Sequence, residues 1–262
     1  MHGKPGHHQW FDDGSEPGYE IGKSAQFMMV RSRDDGRTWS QQENLTRRVK
    51  RAEWWLLAPS PTQGMQIADG TLVMPGQGRD EHGRDFSTVM TSGDHGVNWI
   101  TGSPAPFKDC SECQAVELGD GSIMLNARSE RVGDSHRAVF VTVDRGRTWR
   151  THGTSRHTLI EPPTGCNGSI IRMDYRTAGG ERHILLFSNP HSETDRVDQT
   201  VQVSFDDGLT WPRDHHLLLD EGRGWAYPCL ARVDAERVGI AYAGSQADVV
   251  FQVLPLRELL GP

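Results

Sequence analysis

Long apolar runs are missing from this sequence. None approaches the ~20 residues that a helix needs to cross a bilayer, and the opening stretch from Met1 to Gly14 has no apolar h-region, so neither a membrane span nor a signal peptide is read from it. Cysteine is scarce, with four in 262 residues, too few for a disulfide scaffold at this length. Cys110 and Cys113 form a C-x-x-C, a spacing that can serve a metal or redox centre. No second such pair and no histidine pair completes a structural zinc site, so they are expected to be ordinary strand or loop cysteines, and no metal site is assigned. A surplus of basic charge is missing too: Lys and Arg number 28 against 35 Asp and Glu, a net charge of -7. That excludes the basic face with which a non-specific nucleic-acid binder displaces counterions. It leaves room for a local arginine-lined pocket that holds a small anion. Hydrophobic residues are only 35% of the chain, below the usual globular share. No segment has the pattern of a helix longer than two turns, and only Pro255 to Leu260 reads as one or two turns.

What the sequence does have is glycine, 29 residues of it, which favours many turns and short strands. It also has an internal repeat. Four segments share the pattern S/T-x-D-x-G-x-T/N-W: Ser32 to Trp39, Ser92 to Trp99, Thr142 to Trp149 and Ser204 to Trp211. Their aspartates, Asp34, Asp94, Asp144 and Asp206, are 60, 50 and 62 positions apart, the scale of a four-stranded propeller blade. Each copy carries its own turn chemistry. The Asp accepts backbone N–H groups within the turn, the Gly supplies a positive φ, and the Trp is expected to bury its ring and anchor the hairpin. Strand-like stretches precede the copies, at Phe27–Val30, Ser87–Met90, Ala138–Val141 and Val201–Val203. Others lie between them, at Gly70–Met74, Ser122–Leu125, His183–Phe187 and Arg237–Tyr242. No linker or low-complexity segment interrupts the series, so residues 1–262 read as one all-β domain.

Three stretches between the boxes carry the candidate chemistry. The first is Ser111-Glu112-Cys113-Gln114, followed by Leu125-Asn126-Ala127-Arg128. The second is Leu186-Phe187-Ser188-Asn189-Pro190, with Arg196 a few residues on. The third is Gly224-Trp225-Ala226-Tyr227-Pro228-Cys229-Leu230. Together with the boxes, they resemble the exo-α-sialidase (neuraminidase) family of Asp-box, or BNR-repeat, glycoside hydrolases, from about His2 to Leu260. The resemblance implies a six-bladed β-propeller, incomplete here with about four to five blades. It implies Tyr227 as nucleophile, Glu112 as the carboxylate that activates it, and Arg128 and Arg196 as the second and third of three arginines that hold the substrate. The implied partner is a sialylated glycan or glycoconjugate, hydrolysed with retention and without a cofactor. Taken singly, each residue has a plainer reading: Glu112 an exposed turn residue, the arginines surface side chains, Tyr227 a ring packed beside Trp225. A catalytically impaired sialic-acid-binding or structural propeller stays open as the alternative, because non-enzymatic propellers carry these boxes as well.

The residue types suit the implied reaction. Sialic acid carries a carboxylate on its anomeric carbon, where a carboxylate nucleophile would meet like-charge repulsion. A neutral phenol avoids that, and a neighbouring Glu can take its proton; sialidases are the tyrosine exception among glycosidases. Guanidinium groups bind a carboxylate bidentately and stay charged.

The chain also departs from the family pattern. No Arg-Ile-Pro segment supplies a first arginine, and no segment matches the acid/base Asp of the first blade. Met1 to Gly6 reads like the middle of a sialidase, so the expectation is a chain without roughly the first blade and part of the second. General acid catalysis is worth ~10²–10⁴-fold, so weak turnover by the chain alone is expected. An open ring exposes strand edges, which points to tight closure, homo-oligomerisation or instability. Pro228 stands where the family has Ser, and Ala243 where it often has Glu. A secreted or periplasmic location is implied by the resemblance alone. Trp54 and Trp55 are assigned to blade packing ahead of sugar contact, Gly78 to Asp85 to a solvated hairpin loop, and His7 and His8 to the surface.

Overall fold

The computed structural model describes residues 3–261, apart from 9, 11–13, 108, 131–134, 156, 164 and 178. Met1 and His2, where the opening motif begins, lie outside the described residues.

The period of the boxes becomes a series of antiparallel sheets, each a meander in chain order. The first is a two-stranded piece, β1 (Met28–Met29) and β2 (Glu43–Asn44), on either side of the first box. The second holds β3 (Leu56–Pro59), β4 (Met65–Gln66), β5 (Leu72–Arg79), β6 (Asp85–Ser92) and β7 (Ile100–Thr101). The third holds β8 (Cys110–Glu117), β9 (Ile123–Ser129), β10 (Ala138–Thr142) and β11 (Arg150–Thr151). The fourth holds β12 (Ser169–Thr177), β13 (Gly180–Pro190), β14 (Gln199–Ser204) and β15 (His216–Asp220). The last has three strands, β16 (Ala226–Arg232), β17 (Arg237–Ala243) and β18 (Val250–Pro255). The helices are short, α1 (Thr46–Val49) and α2 (Leu256–Leu260). Among the described residues the arrangement is four propeller blades and the outer half of another. Among the described residues no helix is long and apolar enough to cross a membrane.

The core is divided between the sheets, as stacked blades require. Leu57 and Phe86 pack with Phe27 and Leu45; Val73 and Val89 with Leu125 and Phe140. Val116 and Met124 meet Ile170 and Phe187, and Ile184 and Val203 meet Leu230 and Ile240. The inner strands converge on one axis. The innermost strand of the second sheet is broken, with β3 and β4 pairing the two ends of β5. The break frees Ser60 to Gly64 to cross the centre: the Ser60 hydroxyl accepts the Cys113 N–H at 2.7 Å, and the Gln63 amide donates to the Leu230 carbonyl at 2.8 Å.

Each box is built as its residue types require. In the fourth, Asp206 accepts the Ser204 hydroxyl at 2.8 Å, the Thr210 N–H at 2.9 Å and the Thr210 hydroxyl at 2.6 Å. Asp94 and Asp144 carry the same set. Backbone N–H and side-chain donors at Asn98 hold the Asp94 carboxyl down at about 2, and those at Thr148, the hydroxyl first, do the same for Asp144. The box glycines sit at φ of 82° or 83°, where L-residues are strained. The tryptophans depart from expectation: Trp211 is buried, Trp99 and Trp149 half-buried, and Trp39 is 61% exposed. Trp39 belongs to the two-stranded piece, whose sheet is too small to cover it.

Replacing Asp206 with alanine removes three hydrogen bonds from one turn. At a net ~2 kcal/mol, the melting temperature should fall by roughly 4–8 °C. Thermal unfolding followed by circular dichroism measures it; an unchanged midpoint would mean that the hairpin does not depend on these bonds.

The far face of the last sheet is open, with Cys229, Phe251 and Val253 exposed. A whole face, not merely a strand edge, is therefore left uncovered. No disulfide joins the four cysteines: Cys110, Cys113 and Cys166 are buried, and burial pushes the Cys113 thiol up to about 12.

Candidate active site

Glu112, Arg128, Tyr227 and Arg196 come together at one end of the inner strands. Glu112 lies near the start of β8, at a register shift between Cys110 and Cys113, and its side chain is 16% exposed. It is a strand residue beside the axis, not the exposed turn residue of the plainer reading. Arg128 lies near the end of β9, and Tyr227 near the start of β16, at a second register shift between Ala226 and Cys229. The two irregularities re-aim side chains that regular pleating would turn away. At β16 the chain is also strained, since Ala226 and Tyr227 have φ of 63° and 49°. Two successive non-glycine residues in this region are sparsely populated, and such strain collects at functional sites.

The contacts are close. The Tyr227 hydroxyl donates to Glu112 Oε1 at 3.1 Å. Arg128 Nη1 reaches Glu112 Oε2 at 2.9 Å and the Tyr227 oxygen at 3.2 Å. Arg196, in the loop between β13 and β14, places its guanidinium 5.4 Å from the centre of the Tyr227 ring. Its Nη1 faces the Trp225 carbonyl and its Nη2 the Gly165 carbonyl, each at 3.5 Å. The phenol is still reachable, because Tyr227 is 37% exposed.

Burial raises the Tyr227 pKa, the Glu112 charge raises it further, and Arg128 opposes both. The phenol therefore stays neutral at neutral pH and can lose its proton only to a base in contact; Glu112 is that contact. Burial opposes the charge on Arg128, but Glu130 and Glu112 outweigh it and raise the Arg128 pKa.

Several residues that shape the site were not singled out by the sequence. Glu130 holds Arg128 from the other side, Oε1 to Nε at 2.9 Å and Oε2 to Nη2 at 3.3 Å, and accepts the Ser111 hydroxyl at 2.5 Å. It follows directly on β9, two residues from Arg128, a spacing that returns a side chain to the same side; without the strand's bounds, that spacing marks nothing in the sequence. Gly165 lies against Arg128 at φ 68°, where a Cβ would come within 2.5 Å of Arg128 Cγ. Behind the site, Arg137 and Glu161 form an ion pair at 2.9 Å with neither side chain exposed. Glu161 also accepts the Ser129 N–H at 2.9 Å, which ties the backbone beside Arg128 to the pair.

Other expectations are met in part. Trp54 is core, 4.6 Å from Phe86 between ring centres, while Trp55 is only half-buried. The Gly78 to Asp85 segment is a hairpin, but not a solvated one throughout: Gly78 and Arg79 complete β5, and Arg79 and Asp80 are buried. Asp85, in β6, is pushed up to about 6, first by burial and then by the Glu130 charge. Ala243 pairs with Ala226 across β16 and β17, so it lies beside the strained segment without a group to contribute. Among the described residues no group of three or more His, Cys, Asp or Glu is placed to hold a metal ion.

Comparison with known proteins places the chain in a family. The model of the BNR repeat-like domain matches residues 10–240. A sialidase of Bacteroides fragilis (strain YCH46) is 38% identical over 259 residues, covering 99% of this chain and 46% of its own. A sialidase of Clostridium perfringens is 27% identical over 82% of this chain and 58% of its own. Among solved structures, the Hadza microbial sialidase Hz136 superposes with a TM-score of 0.87 at 40% identity, over 95% of this chain and 47% of that one. The chain spans about half the length of the curated relatives it matches. The repeat, the stacked blades and the likeness along nearly all of its length agree, and the chain belongs to the sialidase family of BNR-repeat glycoside hydrolases.

Proposed function

We propose that the chain carries the nucleophile, its base and two of the substrate-binding arginines of a retaining exo-α-sialidase acting on sialylated glycans. The observation that carries this reading is the hydrogen bond from the Tyr227 phenol to Glu112 at 3.1 Å, framed by two guanidinium groups. In the first step Tyr227 Oη attacks the anomeric carbon, and Glu112 takes the phenolic proton. The bond to the leaving oxygen breaks, and that oxygen takes a proton from solvent water. In the second step water attacks the same carbon and gives up one proton to the solvent, the bond to Oη breaks, and Glu112 returns its proton to Oη. Two inversions give net retention. Arg128 and Arg196 hold the substrate carboxylate and fix the sugar over the phenol.

A sialosyl fluoride with a second fluorine at C3 tests the covalent step. The C3 fluorine slows both steps by destabilising positive charge at the anomeric carbon, while the fluoride leaving group keeps the first step going without a proton. Mass spectrometry should find one sialyl adduct, on the peptide that contains Tyr227. Saturable binding of sialic acid with no adduct would replace this reading with that of a lectin.

A further inference from the structure

Trp225 stands out as a large aromatic side chain held in solvent beside the candidate site. Its ring is 76% exposed, while the neighbouring Ala226 is 3% exposed. The backbone that carries it is tethered. The Gly224 N–H donates to the Arg196 carbonyl at 3.1 Å, and the Trp225 carbonyl faces Arg196 Nη1. A large aromatic face held out on an anchored backbone loses little freedom when something stacks on it.

The ring borders a cleft of about 830 Å³, lined also by Pro162, Asp195, Arg196, Arg223 and Asp248. That is the size range of sites for small molecules. Arg196 is common to the cleft and the candidate active site, where it lies over the Tyr227 ring. A group joined to a sugar at Tyr227 thus has an adjoining place to lie. The charges of the lining balance, two arginines against two aspartates, and Arg223 is already paired with Asp195 at 3.0 Å. Such a lining offers donors and acceptors to hydroxyl groups and, with Arg196 engaged by the sialic acid carboxylate and Arg223 by Asp195, no further unpaired cation to a second acidic sugar.

We propose that this cleft binds the first neutral hexopyranose of the leaving glycan, stacked on the Trp225 indole. The assignment rests on the sialidase reading above.

Two substrates separate the roles: sialyllactose, which fills the cleft, and sialosyl fluoride, which has no second sugar. Trp225→Ala should lower kcat/KM on sialyllactose about tenfold and leave sialosyl fluoride within about twofold, with Trp225→Phe in between. An equal loss on both substrates would make Trp225 a support for Tyr227 and overturn the subsite, as would no loss on either. Saturation-transfer NMR with lactose alone reads the cleft without turnover. If the chain cleaves neither substrate, the sialidase reading has failed. Lactose signals erased by Trp225→Ala would still uphold a sugar site, and signals absent or unchanged by the substitution would overturn it.

Discussion

Tyr227→Phe is expected to lower kcat/KM for any sialoside by at least about 10³-fold, the loss of ~4 kcal/mol of transition-state stabilisation. The substitution removes one oxygen and keeps the ring beneath Arg196. The hydroxyl is partly open to solvent, and Glu112 keeps its 2.9 Å contact with Arg128. No buried polar group is orphaned, so the melting temperature should move by no more than about 2 °C, within the range of a benign surface change. The pair of measurements is what discriminates. A loss of turnover with an unchanged midpoint assigns chemistry to the phenol. Retention of more than a tenth of the activity would exclude Tyr227 as nucleophile, and a fall in both quantities would make it a packing residue. Binding of sialic acid to Tyr227→Phe should persist, because Arg128 and Arg196 remain.

The architecture was legible because turn chemistry is local. Each box holds its Asp, Gly and Thr or Asn contacts within seven residues, and Asp206 needs nothing distant to make its three bonds. The same locality explains the failure at Trp39, whose burial depends on neighbouring strands that its own segment does not encode. In the site, Glu112, Arg128, Tyr227 and Arg196 were legible as composite motifs, although the contacts between them span up to 115 positions. Their convergence depends on the irregular strands at Cys110–Cys113 and Ala226–Cys229, and a sequence pattern of alternation does not show where it breaks. Glu130 was hidden in another way: a charged residue beside an arginine reads as surface, and only the close of β9 shows that it grips the fork. The mid-strand break at Ser60 to Gly64 was not singled out in the sequence, because nothing local shows that this segment crosses the axis to reach Leu230.

Arg137 and Glu161 were the least legible, because charge at zero exposure contradicts the ordinary rule of burial. Arg137 is held by Glu161, by the Asn126 side chain at 2.7 Å and by the Cys166 carbonyl at 2.6 Å. Burial pushes the Glu161 carboxyl pKa up despite the arginine beside it, so desolvation outweighs the attraction of the pair. Such a pair is costly to break and adds little net stability. Glu161→Leu leaves a cation without its partner in the core and strips the Ser129 N–H of its acceptor. It should cost about 3–5 kcal/mol, a fall of roughly 6–20 °C in melting temperature. Arg137→Met together with Glu161→Leu removes both charges and should regain at least half of that loss. A thermal double-mutant cycle reads the difference as a coupling energy. A double variant no more stable than Glu161→Leu would show that the remaining bonds to Asn126, Cys166 and Ser129, and not the charge pair, hold this layer. Because Ser129 adjoins Arg128, the double variant should recover stability before activity: the backbone tie at Ser129 stays broken, and the fork that faces Glu112 and Tyr227 loses part of its support.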